Sequence, residues 1–304
     1  MKITALAGGV GGAKLAHGLA QNLLPDDLTV IVNTGDDFEH LGLYISPDLD
    51  TVCYTLAGLA NFETGWGRAN ETWNSFTNLE KLGGPAWFRL GDQDIATHLE
   101  RTRRLKAGET LSKITQDFCK AWGVKQTILP MSDNSVRTMV DSDEGELAFQ
   151  EYFVHRHCEP EVKGFRFDGV EVAEPAPGVP EALESADAVI FCPSNPWVSI
   201  DPILAVVKEI KKPVVAVSPI IGGKTVKGPA AKMYKELGIE PSALAVARHY
   251  RNTLNGFVLD IEDRNMEEEI KKLGAKTLIT NTLMNKITDR ARLADDILRF
   301  IGSL

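Results

Sequence analysis

The first 32 residues limit the fold of this chain more than any other stretch. Ile3–Ala7 is a short apolar run that ends at glycines, and apolar residues then recur at helical spacing from Lys14-Leu15-Ala16 to Leu23-Leu24. Pro25-Asp26-Asp27 stops that pattern, and Leu28–Val32 (Leu-Thr-Val-Ile-Val) is a second apolar run. A strand, a helix and a second strand in about 32 residues form the unit of a parallel sheet, whose neighbouring strands need a long crossover. Strands that are continuous apolar runs belong to a sheet covered on both faces. The same rhythm resumes late, with apolar strands at 186–192 and 214–217 around a helix at 201–210. Further strands are expected at 244–247, 257–261 and 277–279, and an amphipathic helix closes the chain at 289–301. The expected architecture is α/β: a doubly wound, mostly parallel Rossmann-like sheet, with residues 1–304 forming a single nucleotide-binding domain.

Between these halves the character changes. Ser46-Pro47-Asp48 starts a helix by rule, with Ser at the N-cap, Pro in the first turn and an acid at the positive end of the dipole. Another amphipathic helix is expected at 112–122, ending at Gly123. Residues 136–140, the acidic turn Asp141-Ser142-Asp143-Glu144-Gly145 and residues 147–154 read as a β-hairpin. Residues 130–182, rich in Pro, Glu and Gly, read as an inserted α+β subregion.

With 33 Lys+Arg against 42 Asp+Glu, the chain carries a formal charge of −9. That argues against DNA or RNA as a bulk partner, since phosphate neutralisation needs a basic stripe. A small nucleotide needs only a few local donors. No apolar stretch approaches the ~18 residues of a membrane span. Cys53, Cys119, Cys158 and Cys192 are scattered, which reads as free thiols in a reducing compartment, with neither a disulfide framework nor a zinc site. A cytoplasmic protein is expected.

Chemistry concentrates where strands end. Gly8-Gly9-Val10-Gly11-Gly12-Ala13-Lys14, between the first strand and first helix, suits a phosphate, because glycines allow close backbone approach and the helix N-terminus offers free N–H groups. Its spacing fits neither the P-loop nor G-x-G-x-x-G. The competing reading is a tight turn that packs the helix on the sheet. Asn33-Thr34-Gly35-Asp36-Asp37 follows the second strand, and Ser46-Pro47-Asp48-Leu49-Asp50 comes soon after. Aspartates converging at the carboxyl edge of such a sheet suit a hard ion such as Mg²⁺. Asp36 and Asp50 are the stronger candidates; Asp48 also suits a helix dipole and Asp37 a turn. Arg89 could clamp an anion or stack on a planar ring. Ser194 and Asn195, and Gly222 and Gly223, end later strands, where either a second phosphate site or plain turn chemistry accounts for them. Arg101, Arg103, Arg104 and Lys106 read as a solvated helical face, and the Asp94/His98 pair as structural.

Taken together and in order, Gly8-Gly-Val-Gly-Gly-Ala-Lys14, Asn33-Thr-Gly-Asp-Asp37, Ser46-Pro-Asp-Leu-Asp-Thr51, Gly65-Trp66, Phe88-Arg-Leu-Gly-Asp92, Pro193-Ser-Asn-Pro196, Ser218-Pro-Ile-Ile-Gly-Gly223 and Lys227-Gly-Pro229 resemble the 2-phospho-L-lactate transferase family (CofD/FbiA). The resemblance implies transfer of a phospholactyl or phosphoenolpyruvyl group from a guanosine diphospho donor to the deazaflavin FO, giving F(420)-0 or its dehydro form and GMP, with Mg²⁺. It implies that Asp50 and Arg89 contact FO, that Asp36 and Asp50 lie at the metal, and that the enzyme is a homodimer. Asp50 or Asp37 would take the hydroxyl proton, and the amides of Gly9, Val10, Gly11 and Gly12 would hold donor phosphates. The alternative is a non-catalytic nucleotide-sugar-binding regulator of the gluconeogenesis factor type, which usually reads Gly-Gly-Gly-Thr-Gly at the glycine motif. An NAD-dependent oxidoreductase lacks support, since Asn33 and not an acid closes the second strand.

Overall fold

The computed structural model describes residues 1–304. Seven parallel strands form the central sheet: β1 (Ile3–Ala7), β2 (Leu28–Val32), β3 (Thr127–Pro130), β4 (Ala188–Phe191), β5 (Val214–Val217), β6 (Gly256–Asp260) and β7 (Lys276–Thr280). Their order is β7-β6-β5-β4-β1-β2-β3. From β1 the chain winds outward through β2 and β3, then returns to lay β4 on the other side of β1 and winds outward again. The reversal opens a crevice between the carboxyl ends of β1 and β4, where open α/β sheets bind ligands.

Both faces of the sheet are buried, as the strand composition requires. Ile3, Ala5 and Ala7 of β1 join one apolar cluster with Leu15, Leu19, Val52 and Leu293, whereas Leu6 joins the other with Ile31, Phe191, Ile203 and Phe257. On the first face lie α1 (Gly9–Asn22), α2 (Pro47–Leu56) and the last helix, Ile287–Ile301. From α2 the chain passes through a short helix, Asn74–Lys81, and two longer ones, α3 (Asp92–Lys106) and α4 (Leu111–Ala121), to β3. Thr110 caps α4, its hydroxyl accepting from the Lys113 amide.

Three local readings of the sequence are corrected. α1 begins at Gly9, so the glycine motif forms the first helical turn and not a loop before it. Residues 244–247 are helical, within Ala243–His249: the Ser242 hydroxyl accepts from the Ala245 amide and starts a helix. A short apolar run cannot be told apart from a strand by periodicity alone. The hairpin strands are Arg137–Ser142 and Gly145–Ala148, and a third strand, Val162–Asp168, pairs antiparallel with the first. Residues 151–155 turn helical where a continued strand was expected.

α1 and the last helix approach so closely at Gly18 that a Cβ there would overlap the carbonyl oxygen of Arg290. Helix propensity favours alanine over glycine by about 1 kcal/mol, but overpacking against backbone costs about 1–3 kcal/mol and a carbonyl cannot swing aside. Gly18→Ala is therefore expected to lower the urea unfolding midpoint by a net ~1–2 kcal/mol. An unchanged or higher midpoint would contradict this packing.

Candidate active site

The crevice is built first by close backbone contact. A Cβ on Gly11 would overlap the carbonyl oxygen of Pro193, and one on Gly12 would lie 2.8 Å from the Ser194 Oγ. Gly9 has φ +60°, a conformation that favours glycine. The Ser194 hydroxyl donates to the Gly8 carbonyl (2.7 Å) and accepts from the Gly8 amide (3.3 Å), so the loop after β4 clamps the turn after β1. No N-cap side chain caps α1. Of the N–H groups of its first turn, that of Gly9 bonds to the Asp48 carboxylate, and no residue of the preceding turn caps the others. The packing reading of the motif thus holds physically: its glycines let the helix sit against the loop after β4.

Around this turn lie four buried aspartates. Asp36 and Asp37 follow β2, and Asp48 and Asp50 are in the first turn of α2. Asn33, fully buried at the end of β2, orders them: its amide nitrogen donates to Asp48 Oδ2 (2.9 Å) and the Val198 carbonyl (3.1 Å), and its oxygen accepts from the Gly35 amide (2.8 Å). Ser46, the expected N-cap, instead donates its hydroxyl to Asp37 Oδ2 at 2.8 Å. Burial, with the charges of Asp48 and Asp37 behind it, pushes the Asp36 carboxyl well above the usual range despite the Asn33 hydrogen bond. Burial raises Asp37 to about 8 and Asp48 to about 6, against the Ser46 bond and the Asn33 and Gly9 bonds respectively. Asp36 Oδ1 and Asp37 Oδ1 have no hydrogen-bond partner.

Asp50 has different company. Arg101 grips both of its oxygens, Nη1 donating to Oδ2 at 2.9 Å and Nη2 pairing with Oδ1. The same Nη1 approaches His98 Nδ1 at 3.2 Å. Donation there puts a neutral imidazole proton on Nε2, which faces Asp94 Oδ1 at 3.4 Å. The Tyr54 hydroxyl donates to Asp94 at 2.7 Å. Arg101 is 2 % exposed, so its placement on a solvated face is overturned, whereas Asp94 and His98 meet at i,i+4 inside this buried network, as their structural reading expects. Only Arg103 and Arg104 keep surface partners, Glu100 for the first and Glu109 and Asp117 for the second. The buried face of α3 is polar (Thr97, His98, Arg101, Thr102), so hydrophobic periodicity gives it no signal. Its 3–4-residue spacing was the one trace available.

Other expected site residues are placed as follows. Arg89 is exposed, its guanidinium 4.6 Å from the Trp73 ring centroid and 5.4 Å from that of Phe76. Beside Asp37, Phe38 and His40 pack with Trp87 and Phe88, and Trp87 stacks on His155 at 5.0 Å. Asn195 Oδ1 accepts from the Trp197 amide (3.1 Å) and caps the wide turn Pro196–Ile200. Gly222 and Gly223 form the two-residue turn of a small hairpin, both with positive φ. The Gly222 amide faces Asp263 at 3.2 Å, and a Cβ on Gly222 would lie 2.8 Å from Glu262 Oε2. Acidic neighbours make that turn a poor cradle for phosphate, and turn chemistry accounts for both glycines.

No three His, Cys, Asp or Glu side chains form a closed metal cage. Mg²⁺ does not need one: it keeps several waters and uses one or two carboxylates together with substrate phosphates. An orphaned Asp36 oxygen beside Asp48, in a crevice lined by helix-terminal amides, fits that pattern. Asp36 and Asp48 face each other, whereas Asp50 is held by Arg101; a ligand role for Asp50 has to use the lone pairs that Arg101 leaves free.

Sequence and structure comparisons match the chain to known proteins. A family profile described as 2-phospho-L-lactate transferase CofD matches residues 3–293. The chain is 44% identical to a phosphoenolpyruvate transferase of Streptomyces griseus, covering 97% of this chain and 96% of that one. It is 41% identical to a 2-phospho-L-lactate transferase of Methanopyrus kandleri, over 100% of this chain and 99% of the other. A crystal structure of protein BH3568 from Bacillus halodurans is similar in fold, with a TM-score of 0.65 and 16% identity over 98% of this chain and 99% of that one.

Two outcomes are expected from the site's electrostatics. Asp48 and Asp37 hold protons more tightly folded than unfolded, where an aspartate titrates near 3.9. Their contribution to stability is therefore complete below about pH 4 and is lost as pH rises through about 6 and about 8. Urea midpoints of metal-free protein should fall between pH 5 and 8.5, and fall less in Asp48→Asn; an equal fall in both would contradict the burial argument. Arg101→Met leaves Asp50 buried without its cation and should cost about 3–5 kcal/mol in urea unfolding, the usual effect of breaking a buried pair from one side. A loss under about 1 kcal/mol, as at exposed pairs, would mean that the pair is solvated.

Proposed function

The chain belongs to the CofD family of 2-phospho-L-lactate transferases, and from that premise we propose the reaction its crevice carries out. It is a transferase of coenzyme F(420) biosynthesis. The donor is a guanosine diphospho-lactate or guanosine diphospho-enolpyruvate, and the acceptor is the ribityl hydroxyl of the deazaflavin FO. The phosphorus–oxygen bond between the two phosphates breaks, the hydroxyl oxygen takes its place, and GMP leaves. Relatives named for each of the two three-carbon groups support this substrate class. The single observation that carries the reading is the set of buried, unpaired carboxylates beside a helix N-terminus at the sheet's reversal point.

The roles follow from the chemistry of each group. Amides of Val10 and Gly11 face the donor phosphates, aided by the positive end of α1. Asp36, with Asp48 beside it, would hold Mg²⁺, and Asp50, in the same first turn of α2 as Asp48, would offer it a lone pair that Arg101 leaves free. Bound there, Mg²⁺ supplies charge neutralisation for the diphosphate and for the departing GMP. Asp50, fixed by Arg101, orients the acceptor hydroxyl and receives its proton. Asp37 is the poorer candidate, because with its carboxyl raised to about 8 it is already protonated at neutral pH. In phosphoryl transfer, positioning outweighs a base in any case. The aromatic group of Phe38, Trp87 and Phe88, with Arg89 on its Trp73 platform, offers flat surfaces to a tricyclic acceptor.

The test is incubation with FO and either donor, with and without Mg²⁺, followed by chromatography of GMP and mass spectrometry of the deazaflavin product. Asp36→Asn should cut GMP release by about 10²–10³-fold, the scale of losing one electrostatic stabiliser. It should also raise the unfolding midpoint of the metal-free protein, since it removes a buried like charge. Near-normal turnover in Asp36→Asn would discard the metal role. Tight binding of a UDP-sugar with no GMP formed from either donor would favour the regulator instead.

A further inference from the structure

Arg290, in the second turn of the last helix, is 5 % exposed, and its Nε and Nη1 are buried with no hydrogen-bond acceptor. A guanidinium taken out of water without a partner is strongly disfavoured, so its surroundings call for an anion. What surrounds it is cationic. Lys14 of α1 sends its ammonium to the Met284 carbonyl (3.0 Å), and Lys227 sends its own to the Thr64 carbonyl (2.6 Å). Each ammonium keeps two further donors. Burial, then the charges of Arg290 and Lys227, lower the Lys14 pKa; burial lowers that of Arg290, and His17 is lowered by burial and by Arg290. No carboxylate contributes to any of these three shifts. A cluster of cations without an acid runs against the composition of a chain with a charge of −9.

The cluster adjoins the glycine turn. Val10, in the first turn of α1, lines the same small cleft as Lys14, Asn61, Phe62 and Arg290. Gly65 lies against Val10, where a Cβ would come within 2.8 Å of Val10 Cγ1 and 3.0 Å of Lys227 Nζ. The Phe62 ring covers the Arg290 guanidinium at 5.3 Å. The cleft encloses about 10 Å³, room for roughly one water-sized group. A nucleobase does not fit there; one oxygen of a carboxylate does, with the rest of the group outside the cleft toward Lys227.

We propose that Arg290, Lys14 and Lys227 seat the carboxylate of the donor's three-carbon acid while its phosphates lie along the first turn of α1. This rests on the reaction proposed above. It gives the enzyme a reason to prefer a donor bearing an α-carboxylate over a plain guanosine diphosphate ester: without the carboxylate, a buried cation stays unpaired.

The test uses isothermal titration calorimetry of the full chain with phosphoenolpyruvate and, separately, GMP, alongside donor KM in the FO assay. Lys227 is exposed, so Lys227→Met leaves the fold intact, and Arg290→Met and Arg290→Lys complete the series. Phosphoenolpyruvate binding should weaken about tenfold or more in both Met variants, the scale of a lost charged hydrogen bond, and recover in part in Arg290→Lys. GMP affinity should stay within about twofold, and donor KM should rise more than kcat falls. Unchanged phosphoenolpyruvate affinity in Lys227→Met, or no binding by the native protein, overturns the seat. Equal loss for GMP also overturns it, since the cations would then hold a nucleotide phosphate. Normal turnover with unaltered donor KM in the variants sinks the seat and leaves the reaction standing. Variant-sensitive phosphoenolpyruvate binding without turnover from either donor does the reverse.

Discussion

A carboxylate removed from water needs a counter-charge, and this fold buries three where β1 and β2 end without putting any of them in an ion pair. Asn33 and Ser46 fix two of them through neutral hydrogen bonds, which hold geometry without cancelling charge. Asp36, with an orphaned oxygen and two like charges beside it, is the least satisfied. Of the two arginines nearby, Arg101 is committed to Asp50, and Arg137 donates to the Asp37 backbone carbonyl and not to a carboxylate. Local stability is thereby given up to keep a defined set of oxygens open, an arrangement expected of sites that bind charged groups.

On the other side of the glycine turn the imbalance has the opposite sign. Arg290, Lys14 and Lys227 gather without an acid, so the first turn of α1 lies between carboxyl groups without a counter-charge and cations without one. A donor with a diphosphate in the middle and a carboxylate at one end complements both, given a divalent ion for the acidic side. The sheet makes this possible. Reversal of strand order at β1 opens the crevice, and glycines 11 and 12 let α1 sit directly against the loop after β4.

The parallel sheet was legible because its strands are buried on both faces and so appear as continuous apolar runs. The terminal helix and α2 were legible from an amphipathic stripe and a Ser-Pro-Asp start. Residues 244–247 were misread because four apolar residues look alike in a helix and a strand; the deciding group, the Ser242 hydroxyl, lies just outside the run. Asp36 and Asp50 stood out because they cluster in sequence near strand ends, with Asp37 beside them; Asp48, whose charge acts on Asp36, was masked by its place at a helix dipole. Arg101 and Arg290 did not stand out. Both are arginines on charge-rich helices, and only tertiary packing decides that one meets Asp50 and the other is covered by Phe62. For Gly222 and Gly223 the sequence leaves a phosphate site and a plain turn open, and Asp263 and Glu262 beside them favour the turn.

The account rests on a divalent ion at the acidic side of the glycine turn. Crystals soaked with Mn²⁺ and GMP, with data collected for anomalous scattering at the manganese edge, address it directly. A peak within coordination distance of an Asp36 oxygen, with Asp48 or Asp50 beside it, is the predicted result. A fully occupied ion remote from all three carboxylates, with GMP bound elsewhere than the first turn of α1, would contradict it.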